Sequence, residues 1–159
     1  MTPLDFQSKL KKRVEEVVRG WKLKGSNGQE RHIQVFEQHL PNKEKSQSRN
    51  SQSDFYPCVL VYLDEGSSNA ETVNEIKVYI VAGVYDDNSD NQGYRDAMNI
   101  IQKLKEDLIR KPMIDGKFEL KLPVKWKYDG EDNGAFHYAL IEAEFIAPDS
   151  MREDVEAMI

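Results

Sequence analysis

The stretch that decides the fold is residues 75–108, EIKVYIVAGVYDDNSDNQGYRDAMNIIQKLKEDL. Its first part places apolar side chains at the two-residue period of a β-strand; these are Ile76, Val78, Ile80, Ala82 and Val84. Its last part repeats apolar side chains at helical spacing; these are Tyr94, Ala97, Met98, Ile101, Leu104 and Leu108. A strand and a helix that each bury one face predict one shared core.

The acidic loop between the two elements resembles a calcium-binding loop, because oxygen-bearing side chains alternate from Asp86 to Asp90. An EF-hand also needs glycine at the position of Asn91 and an acid at the position of Ala97. We therefore predict no metal and no cofactor here. The acids are expected to face solvent or to complement the following helix, with Ser89 or Asn91 as its cap.

Composition favours one acidic domain over residues 1–159, since domains of about 100 to 200 residues are common. Charged residues are 31% of the chain and the net charge is -6, which disfavours nucleic acid or an anionic membrane as a general partner. No apolar run approaches the roughly 20 residues of a membrane span. The N-terminus lacks the pattern of a signal peptide, which predicts a cytoplasmic protein. Cys58 is the single cysteine and is expected to be a small buried side chain.

The N-terminal segment predicts a helix that begins at Thr2 and Pro3 and ends near Gly25. Its apolar stripe is Phe6, Leu10, Val14, Val17, Val18 and Trp21. The pattern of residues 24–28 indicates a turn, and that of residues 32–40 predicts a first strand. Residues 41–54 contain no large apolar side chain. They predict a long exposed loop, either flexible in the free protein or an arm that orders against a partner.

The remaining strands are predicted from the alternation of apolar and polar residues. Residues 58–63 and the strand that begins near Asn74 should form a hairpin. Residues 118–128 alternate cleanly, so that one face is expected to be core and the other solvent. A last strand places His137, Ala139, Ile141, Ala143 and Phe145 on one side. Ser150 and Glu153 have the spacing of a capping box for a short terminal helix.

The last two strands are expected to pair as a hairpin with Lys121 opposite Glu142 or Glu144. Pro123 cannot donate a ladder hydrogen bond, so its strand lies at a sheet edge or Pro123 marks a bulge. Such an edge can add a strand from another chain. The predicted fold is α+β, a mainly antiparallel sheet of about five strands with an N-terminal helix and a central helix packed on it.

One enzyme hypothesis arises from the sequence. Asp64 followed by Glu75 and Lys77 resembles the acidic residues and lysine of metal-dependent nucleases, which hold magnesium and activate water. The pattern has low specificity, because Glu119 and Lys121 repeat it on another strand. The three histidines have no paired metal-ligand spacing. We expect a non-enzymatic protein with no catalytic residues. Gly83 is interpreted as a bulge or a close backbone approach within the strand, and not as part of a ligand site.

Residues 56–148 resemble tail terminator and tail completion proteins of long-tailed bacteriophages. The resemblance is carried by GVYDDNSD, QGYRDAMNIIQKLKEDL, FELKLPVKWKYDGED and a closing strand that ends in FIAP. Within these segments, the shared features are Tyr56-Pro57, the helix opening at residues 93–96, Pro123 with Trp126, and Pro148. The loop at residues 41–54 departs from that pattern.

The resemblance implies a virion protein that forms a ring, expected to be a hexamer, at the head-proximal end of the tail tube. Its implied partners are further copies of itself, the tube protein and a head-side connector or neck protein. It would be made in the bacterial cytoplasm and end in the virion. The expected assembly residues are Asp86, Asp87, Asp90, Arg95, Pro123, Lys125, Lys127, Glu142 and Glu144. Another head–tail joining protein is the first alternative, and the nuclease is the second.

Overall fold

The structure, a computed structural model, describes residues 2–24, 30–41, 54–68, 74–87, 92–130 and 134–147. Its helices are α1 (Pro3–Val18) and α2 (Gln92–Arg110). The strands are β1 (Lys22–Lys24), β2 (Glu30–His32), β3 (Gln34–Glu37), β4 (Cys58–Ser67), β5 (Asn74–Tyr85), β6 (Met113–Ile114), β7 (Phe118–Tyr128) and β8 (Phe136–Ala147). The predicted α+β class is confirmed, with more strands than the five expected.

Six strands form the main sheet in the order β3-β4-β5-β8-β7-β6, while β1 and β2 form a separate pair. Only β3 and β4 are parallel neighbours within it; the other neighbours are antiparallel. The predicted hairpin of β4 and β5 is confirmed, with a register shift at Asp64. At the centre, β5 and β8 pair without interruption from Asn74 opposite Ala147 to Tyr85 opposite Phe136.

Both helices pack on the same face of this sheet and bury one core. The ring of Phe6 on α1 lies 4.7 Å from that of Phe118 and 5.0 Å from that of Phe145, measured between centroids. No described element covers the opposite face. There Leu60, Val81 and Leu140 lie side by side on β4, β5 and β8 and remain partly exposed.

The start of α1 follows the prediction and its end does not. Thr2 Oγ1 accepts a hydrogen bond from the Asp5 amide at 3.1 Å, and Asp5 Oδ2 accepts one from the Thr2 amide at 3.1 Å. The predicted end near Gly25 is wrong, because α1 ends at Val18 and Gly20 adopts φ +84°. Glycine commonly follows a helix in this left-handed conformation.

The predicted strand over residues 32–40 is divided between two sheets. Its first residue ends β2, which pairs with β1, and β3 pairs in parallel with β4. Just after β3, Gln38 adopts φ 66°. Its side chain donates to the Leu63 carbonyl at 3.0 Å and accepts from the Leu63 amide at 2.9 Å, as a further strand residue would. The buried Gln7 donates to Gln38 Oε1 at 2.9 Å and fixes this arrangement.

Several predictions fall outside the described residues. These are most of the turn at residues 24–28, nearly all of the loop at residues 41–54, Asp90, the caps Ser89 and Asn91, and the terminal helix after Ser150. In the part of the chain that is described, no helix is long and apolar enough to cross a membrane.

Candidate assembly surface

Most of the predicted assembly residues lie together on β7 and β8. Lys125 is opposite Glu142, and Glu144 is opposite Lys121, so the predicted pairing of these two strands is confirmed. The remaining described candidates, Asp86, Asp87 and Arg95, lie where β5 ends and α2 begins. The structure therefore separates the candidates into a β7–β8 group and a smaller group at the start of α2.

Among the described strands, none pairs with the outer edge of β7 along its second half. β6 pairs only with Phe118 and Glu119, and the Leu120 amide donates to the Pro112 carbonyl at 2.8 Å. Beyond Leu120, no described strand lies on the side of β7 that faces away from β8. Pro123 lies in this open stretch, which confirms that its strand is at the sheet edge.

Pro123 also lies in a bulge. The pairs Lys121–Glu144 and Lys125–Glu142 enclose three residues of β7 and only one of β8. Two extra residues leave the alternation of faces unchanged, so Trp126 returns to the helix-covered side opposite Ile141. The bulge borders a groove of about 220 Å³ that is lined in part by Leu122, Lys125 and Glu142.

The predicted core face of β7 is buried over only part of its length. Phe118 and Leu120 are buried as expected, but Leu122 is 64% exposed and Trp126 is 54% exposed. The expectation was wrong for these two because α2 packs mainly over β5 and β8. α2 reaches the far end of β7 through Tyr94, whose ring centroid lies 5.4 Å from that of Tyr128. Tyr94, also predicted to be core, is itself 42% exposed.

Charged side chains on the uncovered face pair across the strands. Lys77 Nζ lies 2.9 Å from Glu142 Oε1. The hydrogen bond between them lowers the pKa of Glu142 and raises the pKa of Lys77. Lys121 Nζ lies 3.7 Å from Glu144 Oε2. Glu142 and Glu144 therefore form ion pairs within the subunit, and these pairs favour the observed register of β8 against β5 and β7.

Lys125 and Lys127 differ from Lys77 and Lys121. Within the described ranges, no carboxylate oxygen lies within 4.0 Å of either ammonium group. Both side chains are exposed on the open part of β7. The charges of these two exposed lysines are therefore available to a partner.

The three nuclease candidates, Asp64, Glu75 and Lys77, take part in different ion pairs. Asp64 Oδ2 lies 4.0 Å from Lys77 Nζ, whereas Glu75 Oε1 lies 3.9 Å from Lys121 on the side of β7. The amine of Lys77 hydrogen-bonds to Glu142 instead. The described residues contain no group of three or more histidine, cysteine or acidic side chains that could hold a metal ion.

The start of α2 is shaped by a close contact at Gly93. A Cβ atom on Gly93 would lie 2.5 Å from His137 Cδ2 and 2.7 Å from the Cβ of Asp86. Glycine therefore lets the first turn of α2 touch both β8 and the end of β5. Arg95 and Asp87 are exposed beside this contact. The helix opening that carries part of the resemblance thus has a packing role.

A second close contact surrounds Gly83. A Cβ atom there would lie 2.6 Å from Tyr56 Cε1. The predicted bulge or close backbone approach is therefore wrong, because the strand pairs regularly at Gly83 and the space of a Cβ is taken by tyrosine side chains. The hydroxyls of Tyr56 and Tyr138 are 2.7 Å apart. Cys58 is buried nearby as predicted, and burial raises the pKa of its thiol to about 12.

Sequence reasoning did not assign Leu122 and Trp126 to the surface. A signal was available, since Pro123 lies between them and cannot donate a ladder hydrogen bond, which is typical of a sheet edge or a bulge. No protein-family model and no curated protein matches this chain. The functional argument therefore depends on the open edge of β7 and on the resemblance described above.

Proposed function

We propose that this protein is a virion structural component that forms a homo-oligomeric ring at the head-proximal end of a phage tail tube. The ring ends tube polymerisation and provides the joining surface for the head. The proposal is supported by the positions of the similar sequence segments in the fold. These segments lie on β5, α2, β7 and β8; β8 pairs with β5 and β7, and α2 packs against all three strands. The similar residues thus belong to one packed unit.

The observation that carries the proposal is the open half of β7 with Trp126 54% exposed. Monomeric proteins generally protect the edges of their sheets, because unpaired backbone groups recruit other chains. Here the edge has a bulge and lysines, which limit indiscriminate pairing, yet it also presents large apolar side chains. That combination suits a selective contact between subunits.

A ring built from head-to-tail contacts has two different faces, because its symmetry axis does not exchange top and bottom. One face can therefore bind the last layer of tube subunits while the other binds the head-side connector. Such a ring ends the tube for a geometric reason: its outer face does not reproduce the face onto which another tube layer adds. The charged side chains at its surfaces set register and partner choice more than affinity.

The test is tube polymerisation with and without this protein. Tail tube subunits alone should grow to variable lengths, and added protein should shorten the distribution and occupy one end of each tube in electron micrographs. Binding only to the portal-side ring, with tube length unchanged, would favour the neck protein instead. Light scattering should give the molar mass of an oligomer, alone or with tube protein, and electron micrographs should show that the oligomer is a ring. A strict monomer in both conditions contradicts the proposal.

A further inference from the structure

Two stretches of the main sheet have no described strand on their outer side, β3 and residues 125–128 of β7, and these two stretches run in opposite directions. β3 runs parallel to β4, and the direction then reverses at each step through β5, β8 and β7. A second copy placed edge to edge would therefore set its β7 antiparallel to β3. Antiparallel pairing is the geometry in which strands most readily join.

We propose that residues 125–128 of β7 in one copy pair with β3 of a second copy, so that the sheet continues from subunit to subunit. This inference rests on the proposed function, for which it supplies the contact that closes the ring. The two stretches match in length, since β3 has four residues and residues 125–128 form the regular end of β7 beyond the bulge. Among the described strands, none occupies the outer side of either stretch.

The uncovered faces of the two stretches complement each other. Gln34 and Phe36 lie on this face of β3, beside Cys58 and Leu60 of β4. Phe36 is partly exposed, with its ring edge-on to Phe55. On β7 the same face carries the two available lysines, 125 and 127. An ammonium group is attracted to the face of an aromatic ring, so these lysines have a suitable partner on β3.

The helix-covered faces also complement each other. On β7 this face presents Trp126, whose indole N–H needs an acceptor once water is excluded. On β3 it presents the exposed Glu37, whose Oε1 lies 3.5 Å from Ser8 Oγ on α1. One helical turn before Ser8, Leu4 is 69% exposed. This side of the β3 edge therefore offers both an acceptor and apolar surface to the tryptophan.

Charge favours this contact over pairing between two copies of β7. In a chain of net charge -6, β7 contains Lys121, Lys125 and Lys127 against the single acid Glu119. Two antiparallel β7 edges related by a twofold axis would bring the lysines of both copies together, and opposed like charges destabilise a sheet. Pairing with β3 avoids that repulsion. It is also head-to-tail, which is the type of contact that closes into a ring.

Cysteine cross-linking tests the contact directly in the full chain. The double variants Gln34→Cys/Lys125→Cys and Gln34→Cys/Lys127→Cys place thiols on the same face of the two edges. Under oxidising conditions, or with a short bismaleimide that tolerates a shift of register, at least one should give a ladder of covalent oligomers. The buried Cys58 keeps the background low. Gln34→Cys/Lys103→Cys, with Lys103 exposed on α2, is the matched control and should give no ladder.

The same experiment can overturn the inference. A covalent dimer from Lys125→Cys alone would show that two β7 edges meet. Absence of a ladder from every β3–β7 pair, under conditions where the wild-type protein forms rings in electron micrographs, would remove the contact but leave the proposed function standing. A ladder of covalent oligomers from a protein that has no effect on tube length would support the β3–β7 contact but contradict the proposed function. A wild-type protein that stays monomeric and gives no ladder contradicts both.

Trp126→Arg provides a second measurement. It should raise the protein concentration needed for half-maximal assembly by about tenfold or more, since a central tryptophan often dominates an interface. Its thermal unfolding should change little, because the side chain is 54% exposed. Lys127→Glu should weaken assembly, and the control Lys103→Glu should not. Assembly that is unchanged in both Trp126→Arg and Lys127→Glu overturns the inference.

Discussion

Arg13 Nε lies 2.8 Å from Asp107 Oδ2 and so joins α1 to the last turns of α2. The same guanidinium donates through Nη2 to the Lys111 carbonyl at 2.8 Å and through Nη1 to the Met113 carbonyl at 3.3 Å. Carbonyls at the end of a helix have no partner within it. One side chain thus donates hydrogen bonds to a carbonyl that follows α2, to a carbonyl of β6 and to the largely buried carboxylate of Asp107.

Arg13→Ala is expected to lower the free energy of unfolding by about 2 to 3 kcal/mol, because it leaves the Asp107 carboxylate and two carbonyls without their donor. Urea unfolding measures the loss. Lys11→Ala is the control, since Lys11 and Glu15 form an exposed pair at 3.8 Å that should contribute less than about 0.5 kcal/mol. Similar losses in the two variants would show that the Arg13 contacts stabilise the fold no more than an exposed ion pair does.

Gly93→Ala is expected to destabilise the protein by about 1 to 3 kcal/mol, because the added methyl group meets His137 and Asp86 at the base of α2. The helix-forming advantage of alanine opposes this loss only in part. Gly130→Ala is the matched control, since nothing lies within 4 Å of the position of its Cβ. Denaturant midpoints compare the two, and a Gly93→Ala protein as stable as the control would refute the close contact.

The pair of Lys77 and Glu142 predicts a dependence of stability on pH. The pKa of Glu142 is below its ordinary 4.5, so its contribution is present above that value and is lost as pH falls through the lowered pKa. The pKa of Lys77 is raised above 10.5, so its contribution persists until pH rises through that raised value. Melting temperatures of the wild type and Glu142→Gln should therefore differ most near about pH 7 and converge as the pH falls below 4.5 through the lowered pKa.

The control for this experiment is Glu119→Gln, on the exposed side of β7. Its melting temperature should stay at a nearly constant offset from that of the wild type across the same range. A Glu142→Gln difference that does not shrink in acid would mean that the ion pair does not stabilise the sheet.

Cys58 should be almost unreactive in the folded protein. Burial raises the pKa of its thiol from 9.0 to about 12, so the reactive thiolate is reduced by about a thousandfold near neutral pH. Labelling with a maleimide should be slow in buffer and fast in denaturant. Gly83→Ala displaces the Tyr56 ring that lies over this region and should speed labelling, whereas Gly130→Ala should not. Rapid labelling of the folded wild type would contradict the packing.

The features predicted correctly are those that local pattern controls. The alternation of β7 and β8, together with the charges of Lys121, Glu142 and Glu144, is sufficient to place the hairpin within one register step. The spacing of apolar residues likewise gave α2, because a long helix with one buried face has a strong period.

The features missed depend on parts of the chain that are distant in sequence. Gly20 and Gly25 are both plausible helix ends, and only the backbone at Gly20 decides between them. The parallel pairing of β3 with β4 has no sequence signal, because it requires the chain to return past β3. The exposure of Trp126 depends on which strands α2 covers, which the alternation of β7 does not specify.

The position of β8 has a consequence for how the chain folds. β8 follows every other described element in sequence, yet it lies inside the sheet and pairs with β5 and β7 on its two sides. The β4–β5 hairpin can form early from nearby residues. Until β8 is added, however, β7 lacks its strand partner and α2 lacks part of the sheet surface on which it packs. During synthesis, the exposed strand edges of that unfinished sheet are an aggregation hazard. We expect the nascent chain to become compact only after residue 147 has left the ribosome.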